Sequence, residues 1–309
     1  MKNLFAILIS LLFVSTACAS WHGKIYDVST SREISIEQLV QQLSQKSVIV
    51  LGETHITPEV QAAEAQIIDR VVTNTGNEGR FSLAWEFLSA SEQDKVDSLY
   101  QDLKNKKIDS KKFLSQIVGN KSETYVPVIE EVVKHAGELL AINLTRNEKG
   151  PVTKGGIKAA DPKHVPPGYE TGGDNYYERF KTEMQDHVPA DKIRNYFDAQ
   201  CLTDDVMAYQ VSERAKLPLT FIIAGHFHTD YFDGMVKRLD VRLPSLTRSN
   251  VRILDTSEYS ETELLKILKD GKYGPLADYV FFVKEPVQGL SKNSKISFPT
   301  KSASSSWGK

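Results

Sequence analysis

The chain reads as an α/β protein, with a mainly parallel β-sheet flanked by helices and a smaller all-helical subdomain. Three observations predict this. Short apolar runs recur at Val48 to Leu51, Phe81 to Trp85, Leu139 to Ile142, Leu219 to Ala224, Val251 to Leu254 and Tyr279 to Val283, each the length of a buried strand. Helical patterns lie between most of them, and that alternation is what a parallel sheet with crossover helices requires. Several helix starts carry their own capping chemistry.

Taken in order, the chain opens with Lys2, an apolar run from Leu4 to Val14 and small residues from Ser15 to Ser20. That run is too short to span a bilayer stably, so residues 1–18 read as a cleaved signal peptide. The preferred cut lies before Cys18 and leaves a lipidated cysteine; a secretory cut after Ala19 is the alternative. Ala19 and Ser20 then suggest outer-membrane sorting, with the protein lipid-anchored in the cell envelope and otherwise periplasmic or secreted. About 290 residues remain, enough for one large core spanning roughly 24–290. Ser35 with Gln38, Ser89 with Glu92 and Ser260 with Glu263 fit capping boxes, and Thr57 before Pro58 fits an N-cap with proline at the first helical position. Residues 89–135 are helical and charged, longer than a crossover needs, and predict the helical insertion. From Asn147 to Gly173 the chain is rich in Gly, Pro and Lys and reads as a long loop. A helix follows over about 191–216, with Ile193, Phe197, Met207 and Val211 on a broad apolar face. Gly271 reads as a helix stop. The Ser- and Lys-rich tail, 291–309, is expected to be disordered.

Charge and cysteine usage narrow the classes of function. A formal charge of -2 excludes an electrostatic nucleic-acid binder. Cys201 has no partner in the mature chain except a Cys18 that lipid would block, so disulfides do not hold the fold. No later apolar run reaches membrane-spanning length, and membrane attachment would be through lipid alone.

The sharpest chemical signal is Gly52-Glu53-Thr54-His55, directly after the first strand. Ligands of open parallel sheets bind beyond the carboxyl ends of the strands, and the i, i+2 spacing of Glu53 and His55 sends both side chains to one side. Glu86 follows the second strand, and Gly225-His226-Phe227-His228 follows the fourth. Packing alone does not explain acids and imidazoles at three strand ends, because ionised groups are costly to bury without partners. Glu53, His55, Glu86 and His228 could bind a divalent metal, or position a general base beside a polar substrate. A structural network of paired Glu and His is the bland alternative.

These residues, with Phe87, Tyr125, Pro127, Asn143, Arg146, Ala199-Gln200, Asp204, Met207-Ala208 and the Gly-x-x-His of Gly225 to His228, resemble the ChaN-like haem-binding lipoproteins. The wider superfamily includes the Tiki proteases, the TraB proteins and erythromycin esterase relatives. The resemblance runs from about 47 to 240. It implies an iron-linked envelope protein that binds haem as a homodimer enclosing two stacked haems, with tyrosine on each iron and His and Lys on the propionates. A phenolate suits ferric haem. The candidate haem residues here are Tyr169, Tyr176 and Tyr177, with Lys163, His164 and His187 nearby. The resemblance also leaves a metal-dependent envelope hydrolase open, built on Glu53, His55, Glu86 and His228 with Glu53 or Glu86 activating a metal-bound water. His226 adds an imidazole whose role the resemblance does not assign.

Overall fold

A computed structural model of the chain describes residues 23–119, 122–257, 259–268 and 272–284. Eight strands form one sheet: β1 (Ile25–Asp27), β2 (Arg32–Ile34), β3 (Val48–Glu53), β4 (Phe81–Ser89), β5 (Glu138–Asn143), β6 (Leu219–Gly225), β7 (Arg248–Asp255) and β8 (Tyr279–Val283). Their order is β2-β1-β8-β7-β3-β6-β4-β5. Neighbours among β3 to β8 run parallel, whereas β1 pairs antiparallel with β2 and β8. The six predicted strands are all present, five of them longer by a few residues. The β1–β2 hairpin is additional, and its three-residue strands are too short to show a period.

Alternation along the central strands separates two apolar layers. Ile49, Leu51, Leu83, Trp85, Phe221 and Ile223 face one side, packed by α1 (Ile36–Leu43), α2 (Pro58–Thr75), α3 (Gln93–Lys104), α4 (Ser110–Ile117) and α5 (Val126–Lys134). After α6 (Arg146–Gly155) and α7 (Asp174–Met184), the long α8 (Ile193–Arg214) and α9 (Gly234–Arg242) cover Val48, Val50, Ala84, Ile222 and Ala224 on the opposite side. A smaller cluster sets Leu264 of α10 (Glu261–Ile267) against Leu254, Val280 and Phe282. The predicted helical insertion is present as α3 to α5, and its buried residues Val96, Tyr100, Phe113, Ile129 and Val132 join the sheet's own core.

Local signals succeed where the cap chemistry is complete. Ser35 with Gln38 and Ser260 with Glu263 form reciprocal capping boxes, and Pro58 opens α2. Ser89 does not cap a helix with Glu92: it precedes a short 3-10 turn without a side-chain bond, and α3 starts at Gln93. The predicted loop from Asn147 begins instead as α6. Thr145 and Glu148 close a capping box ahead of Gly150 and Pro151, whose presence hides the helix in the sequence. Irregular chain with two 3-10 turns then runs from 156 to 173. Cys201 is buried and free. No helix among the described residues is long and apolar enough to cross a membrane. The expected signal peptide and Cys18, the Gly271 stop and the tail 291–309 lie outside the described residues.

The free edge of β5 is closed by side chains. Gln93 accepts from the Ala141 N–H at 2.7 Å and donates to the Leu139 carbonyl at 3.0 Å, and Arg214 donates to the Ala141 carbonyl at 3.1 Å. One amide thus stands where a ninth strand's peptide would, which protects the edge from foreign strands. Gln93→Ala should lower unfolding stability by about 1–3 kcal/mol, because two partly buried backbone groups lose their partner. Urea denaturation of the two proteins checks this, together with the extent of aggregation on mild heating.

Candidate functional site

The order of the parallel strands decides where the site lies. From β3 the chain crosses toward β5, returns as β6 beside β3, and then leaves toward β8, so strand order reverses between β3 and β6. A crevice opens at such a switch point beyond the strand ends. Two glycines keep it tight: a Cβ on Gly52 would meet Thr229 Oγ1 at 2.2 Å, and one on Gly225 would meet His55 Nε2 at 2.7 Å.

Glu53 ends β3 on the side of α2 and is buried at 1% exposure. Its carboxylate accepts from His55 Nδ1 at 2.8 Å, Tyr125 Oη at 2.6 Å and Gln61 Nε2 at 2.6 Å. The two side chains that the i, i+2 spacing sends to one side thus meet directly. Glu64, wholly buried one turn beyond Gln61 on α2, stands near Glu53 with both its carboxyl oxygens unbonded. Burial, together with the neighbouring Glu53 charge, raises the Glu64 carboxyl well above its ordinary range. The same surroundings raise the Tyr125 hydroxyl, again by burial first and Glu53 second.

Glu86 is brought in by an irregularity of β4. Trp85 pairs with Ala141 and Ser89 with Asn143, so four residues of β4 stand against two of β5. Such a bulge redirects side chains, and Asn143 Nδ2 takes up the Glu86 carbonyl at 2.9 Å. The Glu86 carboxylate accepts from the Gly225 N–H at 2.6 Å and lies 3.4 Å from His228 Nε2 and 3.9 Å from His55 Nε2. Burial opposes its charge, but His228, His55 and the Gly225 N–H outweigh that and hold it below the carboxylate range. His228 Nδ1 in turn meets Asp204 Oδ1 of α8 at 2.6 Å, and Tyr176 of α7 donates to Asp204 Oδ2 at 2.8 Å. Gln200 donates to the Tyr176 oxygen at 3.0 Å.

The result is a row, Glu64–Glu53–His55–Glu86–His228–Asp204–Tyr176, that crosses the sheet edge from one helical layer to the other. The expected convergence of Glu53, His55, Glu86 and His228 is thus present as a line of alternating acids and imidazoles. It does not take the form of a metal shell: Glu53, Glu86 and Asp204 are each bonded to an imidazole or a backbone N–H, and the ligand atoms are strung out. Among the described residues, three metal-ligating atoms come within 4.8 Å of one another at Asp69, Glu131 and His135 instead. There the Lys134 ammonium already bridges the two carboxylates at 2.7 and 2.8 Å.

Environment separates the two imidazoles. His228 is buried, which opposes its charge, but Glu86 and Asp204 on either side raise it to about 10. His55 keeps 28% of its side chain exposed and is raised more modestly, with burial opposed by Glu53 and Glu86. Asp204 is pushed up by burial. His226 pairs with Asp230 at 2.9 Å and is lowered by burial and by Arg252.

Of the predicted haem residues, only Tyr176 belongs to the row. Tyr176, expected in a mobile loop, is buried at 1% exposure with its hydroxyl committed to Asp204, and burial raises that hydroxyl well above its ordinary value. Tyr169 is half-buried with its hydroxyl enclosed, and it too is raised by burial. Tyr177 is half-buried against Phe197, with the Arg194 guanidinium 5.3 Å from its ring centroid. Lys163 and His164 line a cavity of about 330 Å³ with Asn143, Glu148, Val206 and Tyr209. Lys163 pairs with Asp161, His164 lies 3.8 Å from Glu148, and His187 is exposed. Arg146 opens α6 at the surface. Sequence reasoning did not single out Gln61 and Glu64. Their signal was polar residues one turn apart among the apolar positions Val60, Ile67 and Ile68 of α2.

A family model described as haem-binding uptake, Tiki superfamily, ChaN matches residues 39–239. Among solved structures, ChaN of Campylobacter jejuni, described with cofacial haem binding, superposes with a TM-score of 0.66 at 21% identity, covering 84% of this chain and 96% of that one. The erythromycin esterase EreC in its open conformation gives a TM-score of 0.44 at 12% identity, covering 89% and 85%. The type III effector HopBA1 gives 0.41 at 12% identity, covering 80% and 92%. No curated protein sequence matches the chain.

The row also makes a prediction about pH. His228 is raised above its ordinary 6.5 in the folded state, so its charge contributes stability that is complete below pH 6.5 and is lost as pH rises through about 10. His228→Gln should therefore cost most at acidic pH, on the order of 3–5 kcal/mol, with the gap to wild type closing toward pH 10. Unfolding free energies measured across that range check the sign.

Proposed function

We infer that this chain, which belongs to the haem-binding uptake family of ChaN in the Tiki superfamily, binds haem and serves haem-iron acquisition at the cell envelope. The carrying observation is the family match over 39–239, which takes in β3, β4, β5 and β6 and every residue of the row. Haem supplies a flat apolar macrocycle, two anionic propionates and a ferric iron that accepts a phenolate.

This chain's residues fit that cargo at the loop face rather than at the row. Of the three candidate tyrosines, Tyr176 is tied to Asp204 and the Tyr169 hydroxyl is enclosed, which leaves Tyr177 as the proposed iron ligand, with the Arg194 charge beside it. Lys163 and His164, at the 330 Å³ cavity, are the proposed propionate partners. The two groups sit at different levels of α8. Tyr177 packs on Phe197, whereas the cavity lies at Val206 and Tyr209, ~14 Å further along the helix at 1.5 Å per residue. A tyrosine and a Lys–His pair so far apart serve one macrocycle more naturally from two copies than from one, and this supports a homodimer. Attachment through a lipidated Cys18, facing the periplasm or the surface of the outer membrane, is part of the same proposal. It rests on the apolar run that ends in that cysteine.

Titration of the purified chain with ferric haem should give a saturable, red-shifted Soret band. Tyr177→Phe should weaken binding at least tenfold, whereas Tyr176→Phe should keep the band and lose about 1–3 kcal/mol of unfolding stability through the orphaned Asp204. A titration without a saturating band, or one equally unaffected by both substitutions, would sink this assignment.

A further inference from the structure

Away from the row, the described residues bring a further set of metal-ligating atoms together where α2 packs on α5. Gln61 and Tyr125 serve the row near the N-terminal ends of these helices, whereas Asp69 and His135 lie about 12–15 Å further along, at 1.5 Å per residue. Glu131 and His135 are one turn apart on α5, so their side chains share a face, and that face meets Asp69 of α2. His135 Nε2 stands 2.8 Å from Asp69 Oδ1 and 3.5 Å from Glu131 Oε2, and the three ligand atoms all lie within 4.8 Å of one another. The imidazole is the fixed member. Its side chain is 8% exposed, whereas those of Glu131 and Asp69 are more open, and this buried nitrogen donor sets the group apart from a patch of surface acids.

A positive charge already stands between the acids. Lys134 Nζ lies 2.7 Å from Asp69 Oδ1 and 2.8 Å from Glu131 Oε2, which marks the position as one that draws a cation. Its hold is weak. The ammonium sits on a flexible stem whose side chain is 54% exposed, and ion pairs so open to water contribute little.

We propose that Asp69, Glu131 and His135 bind a single divalent transition-metal ion of the Zn2+ class, which displaces the Lys134 ammonium. Ligand atoms about 2.0–2.1 Å from a tetrahedral Zn2+ stand roughly 3.3 Å apart, and the two separations at His135 Nε2 lie on either side of that value. The donor types agree. Imidazole with carboxylate suits Zn2+, Co2+ or Ni2+, whereas Ca2+ and Mg2+ take oxygen ligands. Three protein ligands leave a fourth position to water. The ion ties α5, the last helix of the insertion, to the crossover helix α2, and it does so independently of haem and of the row.

Titration of the full purified chain, stripped with EDTA and freed of chelator, with zinc sulfate against a chromogenic zinc chelator at near-neutral pH tests the site, with melting temperatures taken on the same samples. Expected are one Zn2+ bound per chain and a higher melting temperature in its presence. His135→Gln and Glu131→Gln should each weaken binding by about tenfold or more, while His187→Gln, at an exposed histidine, should leave it unchanged. Lys134→Ala should tighten it by about threefold to tenfold, because the metal no longer competes with an ammonium. The proposal is overturned by a wild type that binds no Zn2+, by His135→Gln binding as tightly as wild type, or by an equal loss in His187→Gln. Should His135→Gln melt early, Lys134→Ala decides, since that side chain is exposed and lies outside the core; binding no tighter than wild type then overturns the proposal.

Discussion

Glu86 is the point on which the two halves of the molecule close. Its carboxylate receives the Gly225 N–H, faces the imidazoles of His55 and His228, and lies where the bulge in β4 carries it across the sheet edge. Without that anion, two imidazoles and three further carboxyl groups would face one another in a crevice with little water to screen them. Buried ions survive only when paired and hydrogen-bonded, and a chain of alternating acids and imidazoles meets that condition. The row therefore joins α2 on one layer to α8 on the other, through groups at the ends of β3, β4 and β6 no more than 3.9 Å apart.

The same constraint explains small residues that otherwise lack a role. Gly52 leaves room for Thr229, Gly225 for the His55 ring, and Asn143 absorbs the carbonyl that the bulge in β4 exposes. Tyr176 and Tyr125 stand at opposite ends of the row and act as terminal donors to its acids. The loop face is built differently. Tyr177 lies against Phe197 and the Arg194 guanidinium, while Lys163 and His164 line the separate cavity beside α8. One scaffold carries a polar row at the switch point and, apart from it, a cavity of mixed lining beside α8.

Legibility in the sequence followed the range of each interaction. Strands buried on both sides reveal themselves as apolar runs, and Tyr279–Val283 even has its predicted limits. Capping boxes are equally local, which is why Ser35 and Ser260 were legible and why α6, with Gly150 and Pro151 inside or near its middle, was obscured. Ser89 failed as a cap because Gln93 is drawn to the β5 edge, 46 to 48 residues away in sequence. Glu64 went unnoticed because a carboxyl on an amphipathic helix ordinarily faces water, and only the fold aims it at Glu53.

By itself the sequence determined the fold class, the family, and the placing of Glu53, His55, Glu86 and His228 at strand ends, since each follows from periods of two or 3.6 residues and from short motifs. Tertiary structure alone decided how those groups meet. Whether an imidazole ends with both nitrogens held, as His228 does, or with one free, as His55 does, depends on atoms from four separate elements. It likewise decided that Tyr176 is a core donor and Tyr177 is half-exposed. Both rings pack on Phe197 of α8, and only that packing buries Tyr176 while leaving its neighbour Tyr177 partly exposed.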